Sequence, residues 1–416
     1  MISKIQILIK KYHNKVPLND IPINKYIKTD SWFDIKESDK YYFNNKLKIK
    51  KIKNKEKVIK CKKIILQPNE KQKKILLDWL NSVRLMYNQT LKFIKNRYML
   101  KKNTITDFRK LRKKLKDKKI ILKKIYNTPT HILDSGIKLA SISYMSAFTN
   151  FKNKNIKHFN IRYIKQSKKT HIMDIEKSYF NEKTFCPTFL GEKLLNKSNL
   201  KYNEITKDCK LHYCSINERF TLLVPEEKEK KKRKHNNSYI SIDPGVRTFL
   251  TGMSNDKHYK ICSNSYNEIK SILNKIDNVK RKKNKEKLRY KLRNKITDLH
   301  WKTINFLMKE NKNTIIIGNW STKNCISKKG SLNKMLKRVC NSLRYFDFLN
   351  KLIYKSNYNN ISLKIQNEAY TSKLCSMCGA INKNLGSKKV FNCVNCKMVY
   401  DRDMNACRNI LIKSLK

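Results

Sequence analysis

Acid is what this sequence most lacks. Its 416 residues carry 32 Asp and Glu against 96 Lys and Arg, a formal charge of +64. That excludes an acidic solvating protein. It also disfavours an ordinary metabolic enzyme, which gains nothing from self-repulsion that opposes compaction. Glycine (8) and proline (7) are scarce too, while Lys, Asn and Ile abound. Codon drift in an A/T-rich genome produces that bias, so part of the charge is compositional. No apolar run approaches the roughly 18 residues that suggest a membrane span. The opening MISKIQILIKK breaks its apolar residues with lysine before a signal-peptide core forms, so neither secretion nor membrane insertion is expected. The eight histidines show no spacing of a ligand set, and no internal repeat occurs.

What is present points to a folded protein with a polyanionic partner. An apolar fraction of 39%, with 10% aromatic, is too high for full disorder and supports a core. The length suggests two to four domains. Nucleic acid is the obvious polyanion, and one phosphate per net charge would take roughly 60 nucleotides. A long RNA, or RNA with DNA, fits better than a short DNA site. Of 12 cysteines, eight are scattered and four form two CxxC pairs. Free thiols with one metal site imply a reducing, intracellular compartment. The nucleus, a viral factory and a virion all fit.

Residues 1–58 read as a basic N-terminal extension with scattered aromatics (Trp32, Phe33, Tyr41, Tyr42, Phe43). KCKKIILQ (60–67) reads as a strand, and Pro68-Asn69 then opens a helix. Its apolar positions Leu76, Leu80, Val83, Tyr87, Leu91 and Ile94 recur at three and four residues. Helical patterns over 106–126 and 130–152 complete a basic helical bundle. Between about 158 and 225, HFNIRYIK, KLHYCSI and RFTLLVP read as strands, with Asn217-Glu218 a hairpin turn. EEKEKKKRKHNN (226–237) holds no apolar residue and reads as a solvated basic linker. A nuclear-import or RNA-contacting patch at KKKRK, Lys230 to Lys234, is the alternative. Beyond it, 239–242 and 246–253 read as strands and 281–311 and 332–355 as helices. NTIIIGNW reads as a central strand covered on both faces. ISLKIQNE is a further strand and DMNACRNILIKSL a terminal helix. Trp301 and Trp320 read as core residues rather than base-stacking ones.

Cys375-Ser-Met-Cys378 and Cys393-Val-Asn-Cys396 are separated by 14 residues. Each makes a tight knuckle offering two thiolates, and two knuckles complete a closed, structural site for one Zn2+. Gly379 fits the φ > 0 bend after the first knuckle. Incidental thiols or a disulfide pair is the alternative. Asp243 follows Tyr-Ile-Ser-Ile and precedes Pro-Gly, so it belongs half-buried at a strand end. Asp403 lies at or near the N-cap of the terminal helix. Each has a local explanation, Asp243 as a turn residue and Asp403 as a helix cap. Together, carboxylates from a strand end and a helix start can hold two Mg2+ ions, which prefer oxygen ligands and act on phosphodiesters through an activated water.

These residues carry a resemblance. SIDPGVRTF, then an apolar strand, then TSKLCSMCG…FNCVNCKMVYDRDMNACRNIL resembles the nuclease half of the transposon-encoded OrfB/TnpB family. The likeness is closer to its eukaryotic and giant-virus relatives, the Fanzor proteins. LQPNEKQKKILLDWLNSVRLMYNQTL resembles that family's opening helix, and NIRYIKQSKK its basic strand segment. The resemblance covers about 60–416 and is most specific in the C-terminal third. It implies a multidomain α+β protein. A β-rich, wedge-like, barrel-like region (59–68 and 156–225) and a helical recognition domain (69–155) would precede the linker. A RuvC (RNase H-like) α/β domain (238–371 and 398–416) would follow, with an inserted zinc ribbon (372–397).

The resemblance further implies an RNA guide from the mobile element, double-stranded DNA as target, and Mg2+-dependent DNA cleavage by catalytic Asp, Glu and Asp. Asp243 matches the first acid and Asp403 the last, with Asp401 their neighbour. The middle acid departs from the common pattern. Where the family's strand ends in Glu, this chain has Gly318, and no acid lies between Glu310 and Asp347. The next strand ends in Asn367-Glu368. In an RNase H-like sheet the two strands are adjacent and parallel, so Glu368 can reach the site from next door, as in a Fanzor-like subset. Candidate nucleic-acid contacts are Arg84 and Asn88 on the opening helix, Arg162, Lys165, Lys168 and Lys169 on the basic segment, and Lys337 and Arg344 on the 332–355 helix. A catalytically impaired RNA-guided or zinc-ribbon DNA-binding protein is the alternative, and Gly318 is its support.

Overall fold

The computed structural model describes residues 2–15, 25–28, 32–37, 57–99, 105–233, 238–327, 332–386 and 388–415. The chain forms two compact units: Ile59–Lys228, and Met1–Val58 joined with Glu229–Lys416. The expected N-terminal extension is therefore part of the second unit. Helix α1 (Ile2–Tyr12) buries Ile5 and Ile9. Strand β1 (Lys25–Lys28) pairs antiparallel with β2 (Asp34–Glu37), and β2 pairs with a strand at His258–Ile261. Trp32, Phe33 and Ile35 enter the main core of that unit. The Asp34 carboxylate accepts hydrogen bonds from the Ser263 N–H and hydroxyl. Composition averaged over 58 residues hides this short apolar cluster. Tyr41, Tyr42 and Phe43 lie outside the described residues.

In Ile59–Lys228, β3 (Lys57–Gln67) leads into α2 (Glu70–Met99). Asn69 and Gln72 exchange reciprocal hydrogen bonds, with the Gln72 N–H donating to Asn69 Oδ1 at 2.8 Å. This capping box starts the helix where the sequence does. The 106–126 pattern forms two helices, α3 (Phe108–Lys114) and α4 (Lys116–Tyr126), which meet at Leu115. Both are tied to α5 (Thr130–Lys152) through buried Asp134, which takes Arg112 and Lys119 at 2.8 Å each. Gly136 lets α5 approach α2: a β-carbon there would lie 2.6 Å from Val83 O.

The strands of this unit are β4 (Thr170–Ile175), β5 (Leu195–Asn196), β6 (Cys209–Cys214) and β7 (Arg219–Glu229), with the short helix α6 (Pro187–Leu190) before β5. Their order is β4-β6-β7-β3-β5. No pairing joins β4 to β5 among the described residues, so the barrel-like expectation becomes an open sheet. The hairpin turn contains Asn217-Glu218 as expected, with Cys214 opposite Arg219. HFNIRYIK forms no ladder. Its Phe159, Ile161 and Ile164 pack on the helical core instead. The charge run from 226 is not a free linker either: β7 extends through Glu229. Pairing uses the backbone, so charged side chains do not prevent it. Lys231 N–H donates to Tyr358 O, and Arg233 donates to Asn311 and Asn313. Residues 234–237, with Lys234, lie outside the described residues.

The rest of the second unit runs β8 (Tyr239–Pro244), β9 (Leu250–Ser254), β10 (His258–Ile261), α7 (Ser265–Asn278), α8 (Lys282–Lys309), β11 (Thr314–Gly318) and α9 (Thr322–Cys325). It continues with α10 (Lys334–Ser342), α11 (Tyr345–Tyr358), β12 (Ser362–Gln366), the β13 (Val390–Asn392) and β14 (Val399–Asp401) hairpin, and α12 (Arg402–Ser414). The 332–355 pattern breaks into α10 and α11 because Arg344 is left-handed, with φ 49°. The sheet order is β1-β2-β10-β9-β8-β11-β12, and β8, β11 and β12 are mutually parallel neighbours. Every residue of β11 is buried. Ile315 and Ile317 face the core built with α8 and α11, while Ile316 faces α1 and α12. The mostly apolar run thus forms a central strand covered on both faces.

Candidate active site

Asp243, Gly318 and Glu368 gather at the carboxyl ends of three adjacent parallel strands. Ile242 is level with Ile317, which puts Asp243 beside Gly318, and Gly318 pairs in register with Gln366. Side chains alternate along a strand. Asp243 shares its parity with Ser241, whose hydroxyl donates to Cys407 O on α12 at 2.6 Å. It therefore points to the face carrying α12, whose first turn holds Asp403.

The two aspartates before α12 divide their work. Asp401 is the N-cap: its Oδ1 accepts from the N–H groups of Asp403 (3.0 Å) and Met404 (3.2 Å). Its Oδ2 takes Lys260 at 2.6 Å. Asp403 is thereby released from capping. It is half-buried, as are Asp243 and Glu368.

The acids act on one another through their charges. Burial raises the Asp243 carboxyl well above its usual range, and the charges of Asp403 and Glu368 push it further. Asp403 is raised by burial and then by Asp401, against Arg402, Lys260 and Arg247. Glu368 is pushed up to about 7 by burial and the Cys325 thiol, while Lys413 pulls it down. Tyr345 lies under the site, donating to Gly318 O at 3.2 Å. Its phenol is raised by burial, Glu368 and Asp243, so it stays neutral. Glu368 Oε1 is buried without a hydrogen-bond partner among the described residues. Crowded, desolvated carboxylates with an orphaned oxygen are costly unless a cation joins them. The donor set is all hard oxygen, which suits Mg2+.

The four knuckle cysteines form one cluster, with their sulfurs all within 4.8 Å of one another. The Cys375–Cys396 and Cys378–Cys393 sulfurs stand 3.6 and 3.5 Å apart. Those gaps are too long for a disulfide of about 2.05 Å. They fit thiolates sharing one tetrahedral metal with bonds near 2.3 Å. Gly379 has φ 76°, as the knuckle requires.

The candidate nucleic-acid residues separate. Arg84, Lys168 and Lys169 line one groove of about 340 Å³, with Asn81, Gln166 and His171. Arg162 and Lys165 are exposed on the neighbouring extended segment. Asn88 has a structural role. Its side-chain amide exchanges hydrogen bonds with both backbone groups of Ile164, at 3.0 and 2.8 Å. It substitutes for the strand partner that HFNIRYIK lacks. Arg344 pairs with Asp347 at the start of α11, and Lys337 donates to Ser327 O at 2.8 Å.

Sequence reasoning missed the buried polar side chains of α12. Asn405, Arg408 and Asn409 are fully buried. Asn405 and Asn409 donate to Leu374 O, and Arg408 to Ser376 O and His13 O. Their signal was present as polar residues three and four apart on an otherwise apolar helix. The helix thereby grips the first knuckle and the turn that follows α1.

Fold and site together define a basic two-unit α/β protein with a carboxylate cluster on parallel strand ends and a four-thiol cluster beside it. Residues 345–410 match the family described as Cas12f1-like, TNB domain. Residues 58–102 match a helix-turn-helix domain of the IS605 OrfB type, although here they form β3 and the single helix α2 as far as Met99. TnpB-like protein L79 of Acanthamoeba polyphaga mimivirus is 32% identical over 389 residues, covering 86% of this chain and 74% of that protein. TnpB-like protein L770 of the same virus is 33% identical over 388 residues, with 86% and 74% covered. The fold resembles that in the cryo-EM structure of a Cas12f1–sgRNA–target DNA complex, with a TM-score of 0.50 at 16% identity over 82% of this chain and 83% of that one. The chain belongs to the TnpB-like family.

Proposed function

We propose that this protein is an RNA-guided DNA endonuclease of a mobile element. The gathering of Asp243, Glu368 and Asp403 at one end of the sheet, with Glu368 Oε1 buried and unpartnered among the described residues, carries the reading. The order β10-β9-β8-β11-β12, antiparallel and then parallel, supports a RuvC (RNase H-like) domain. Asp243, Glu368 and Asp403 would hold two Mg2+ ions, which when bound supply an activated water and stabilise the leaving oxygen of a phosphodiester. Asp401 keeps Asp403 available by capping α12 itself. Tyr345, itself buried, places a neutral hydroxyl beneath the site on Gly318 O. The four cysteines hold one structural Zn2+.

The Ile59–Lys228 unit would take a guide RNA from the element and its duplex with target DNA through backbone charge rather than sequence. The groove at Arg84, Lys168 and Lys169 supports that role. A guided DNA binder without nuclease activity is the second reading, favoured by Gly318. Purifying the protein with its RNA and adding matched DNA and Mg2+ decides between them. Cleavage by wild type but not by Asp243→Ala supports the nuclease. Identical behaviour of the two ends that reading.

A further inference from the structure

Glu368 lies two residues beyond the last paired residue of β12, Gln366. The ladder that fixes Asp243 therefore does not fix Glu368. Something else must hold it if it is the third acid, the reading on which this inference rests. The backbone around it is pinned at three consecutive carbonyls. Glu368 O accepts from Thr371, from its N–H at 3.0 Å and its hydroxyl at 2.8 Å. The carbonyls on either side, Asn367 O and Ala369 O, both accept from Lys413 Nζ, at 2.5 and 3.2 Å.

Lys413 lies in the last turn of α12 and is only 7% exposed. A lysine there ordinarily extends to water, its ammonium favoured by the helix terminus. Burying the ammonium is costly unless its donors are met. Here two of its three donors go to the peptide groups that bracket Glu368. One turn earlier, Asn409 donates to Thr371 O and Leu374 O at 2.8 Å each. The same helix carries Asp403 in its first turn, about 15 Å away at 1.5 Å rise per residue.

We propose that Lys413 is a positioning residue for Glu368, so that α12 sets two of the three carboxylates: Asp403 directly, and Glu368 through the peptides that Lys413 grips. Moving an acid from a strand end to a loop then has two structural requirements, an empty place at Gly318 and a brace at Lys413.

The test uses full-length protein with its co-purified RNA, and Mn2+ as the probe, followed by electron paramagnetic resonance. Lys413→Met should weaken Mn2+ binding roughly tenfold, the scale of lost outer-shell contacts. Its cleavage should fall at low metal and recover at high metal, with DNA binding and zinc content unchanged. A role in stability alone would not move the metal titration. Lys413→Gln keeps a donor and should give an intermediate shift, so the comparison survives if the methionine variant folds poorly. Mn2+ binding by both variants within twofold of wild type overturns the brace. Glu368→Gln is the control for the underlying reading. If it too binds Mn2+ and cleaves as wild type, Glu368 is not a ligand. If it alone is defective, only the brace fails.

Discussion

The side chain of Glu368 fills the space in front of Gly318. A β-carbon at position 318 would lie 2.8 Å from Glu368 Oε1, 3.1 Å from Cδ and 3.2 Å from Cγ. Those separations are all shorter than normal van der Waals contact. The missing acid and the displaced acid are therefore one feature: the Glu368 carboxylate, from just beyond the neighbouring strand, occupies the space that a side chain at 318 would take, and any such side chain must displace it.

Gly318→Ala should accordingly be harmful out of proportion to its size. The methyl group must push Glu368 away from Asp243, and Mg2+-dependent cleavage should fall at least tenfold with little change in melting temperature. The double substitution Gly318→Glu with Glu368→Ala returns the acid to the strand end. It should cleave better than Glu368→Ala alone. Rates measured on one matched DNA substrate check both statements.

The crowded carboxylates should destabilise the metal-free protein near neutral pH. A folded-state pKa raised above the unfolded value contributes stability below the unfolded pKa and loses it as pH rises through the folded one. For Glu368 that window runs from 4.5 to about 7. Without metal, Glu368→Gln and Asp243→Asn should therefore melt above wild type at pH 8, by about 2–4 °C if about 1 kcal/mol of repulsion is relieved. The difference should shrink toward pH 4.5. Added Mg2+ should stabilise wild type more than either variant. Calorimetry with and without Mg2+ across pH measures this.

Removing the knuckle metal should reach the carboxylates. Asn405, Arg408 and Asn409 of α12 hold the backbone of Thr371, Leu374 and Ser376, immediately before and within the first knuckle. Zinc chelation or Cys375→Ser should lower the melting temperature and abolish cleavage, while RNA stays bound. Zinc content, melting and RNA retention can be read on one preparation.

Asp134 is the buried acid of the Ile59–Lys228 unit, between Arg112 and Lys119. Asp134→Ala leaves Lys119 buried without its partner. It should cost about 3 kcal/mol, the scale for breaking a buried ion pair. Denaturant unfolding measures the loss, and Mn2+ affinity at the carboxylates should be unchanged.

Much of this arrangement was legible in the sequence. Helices α2, α5 and α8, the central strand β11 and the knuckles follow from periodicity and spacing, because burial of one face or a shared metal imposes those patterns. The parallel neighbourhood of β11 and β12, needed to bring Glu368 to the site, also came from the fold that the motifs implied. What could not be read depends on single long-range contacts. Trp32, Phe33 and Ile35 find their partners more than 200 residues away, in β10 and the core beneath it. HFNIRYIK alternates like a strand, but its partner is the side chain of Asn88 rather than another strand. The break at Arg344 comes from one left-handed residue inside a continuous apolar stripe. Lys413 stands at a helix end, where basic residues are common, and only the tertiary fold shows which carbonyls it meets.

The central claim is that Glu368 completes the carboxylate centre with Asp243 and Asp403. The most direct measurement is Mg2+-dependent cleavage of guide-matched DNA by Glu368→Gln and wild type, at equal DNA binding. Loss of cleavage with binding intact is the predicted result. Cleavage by Glu368→Gln at the wild-type rate would contradict it.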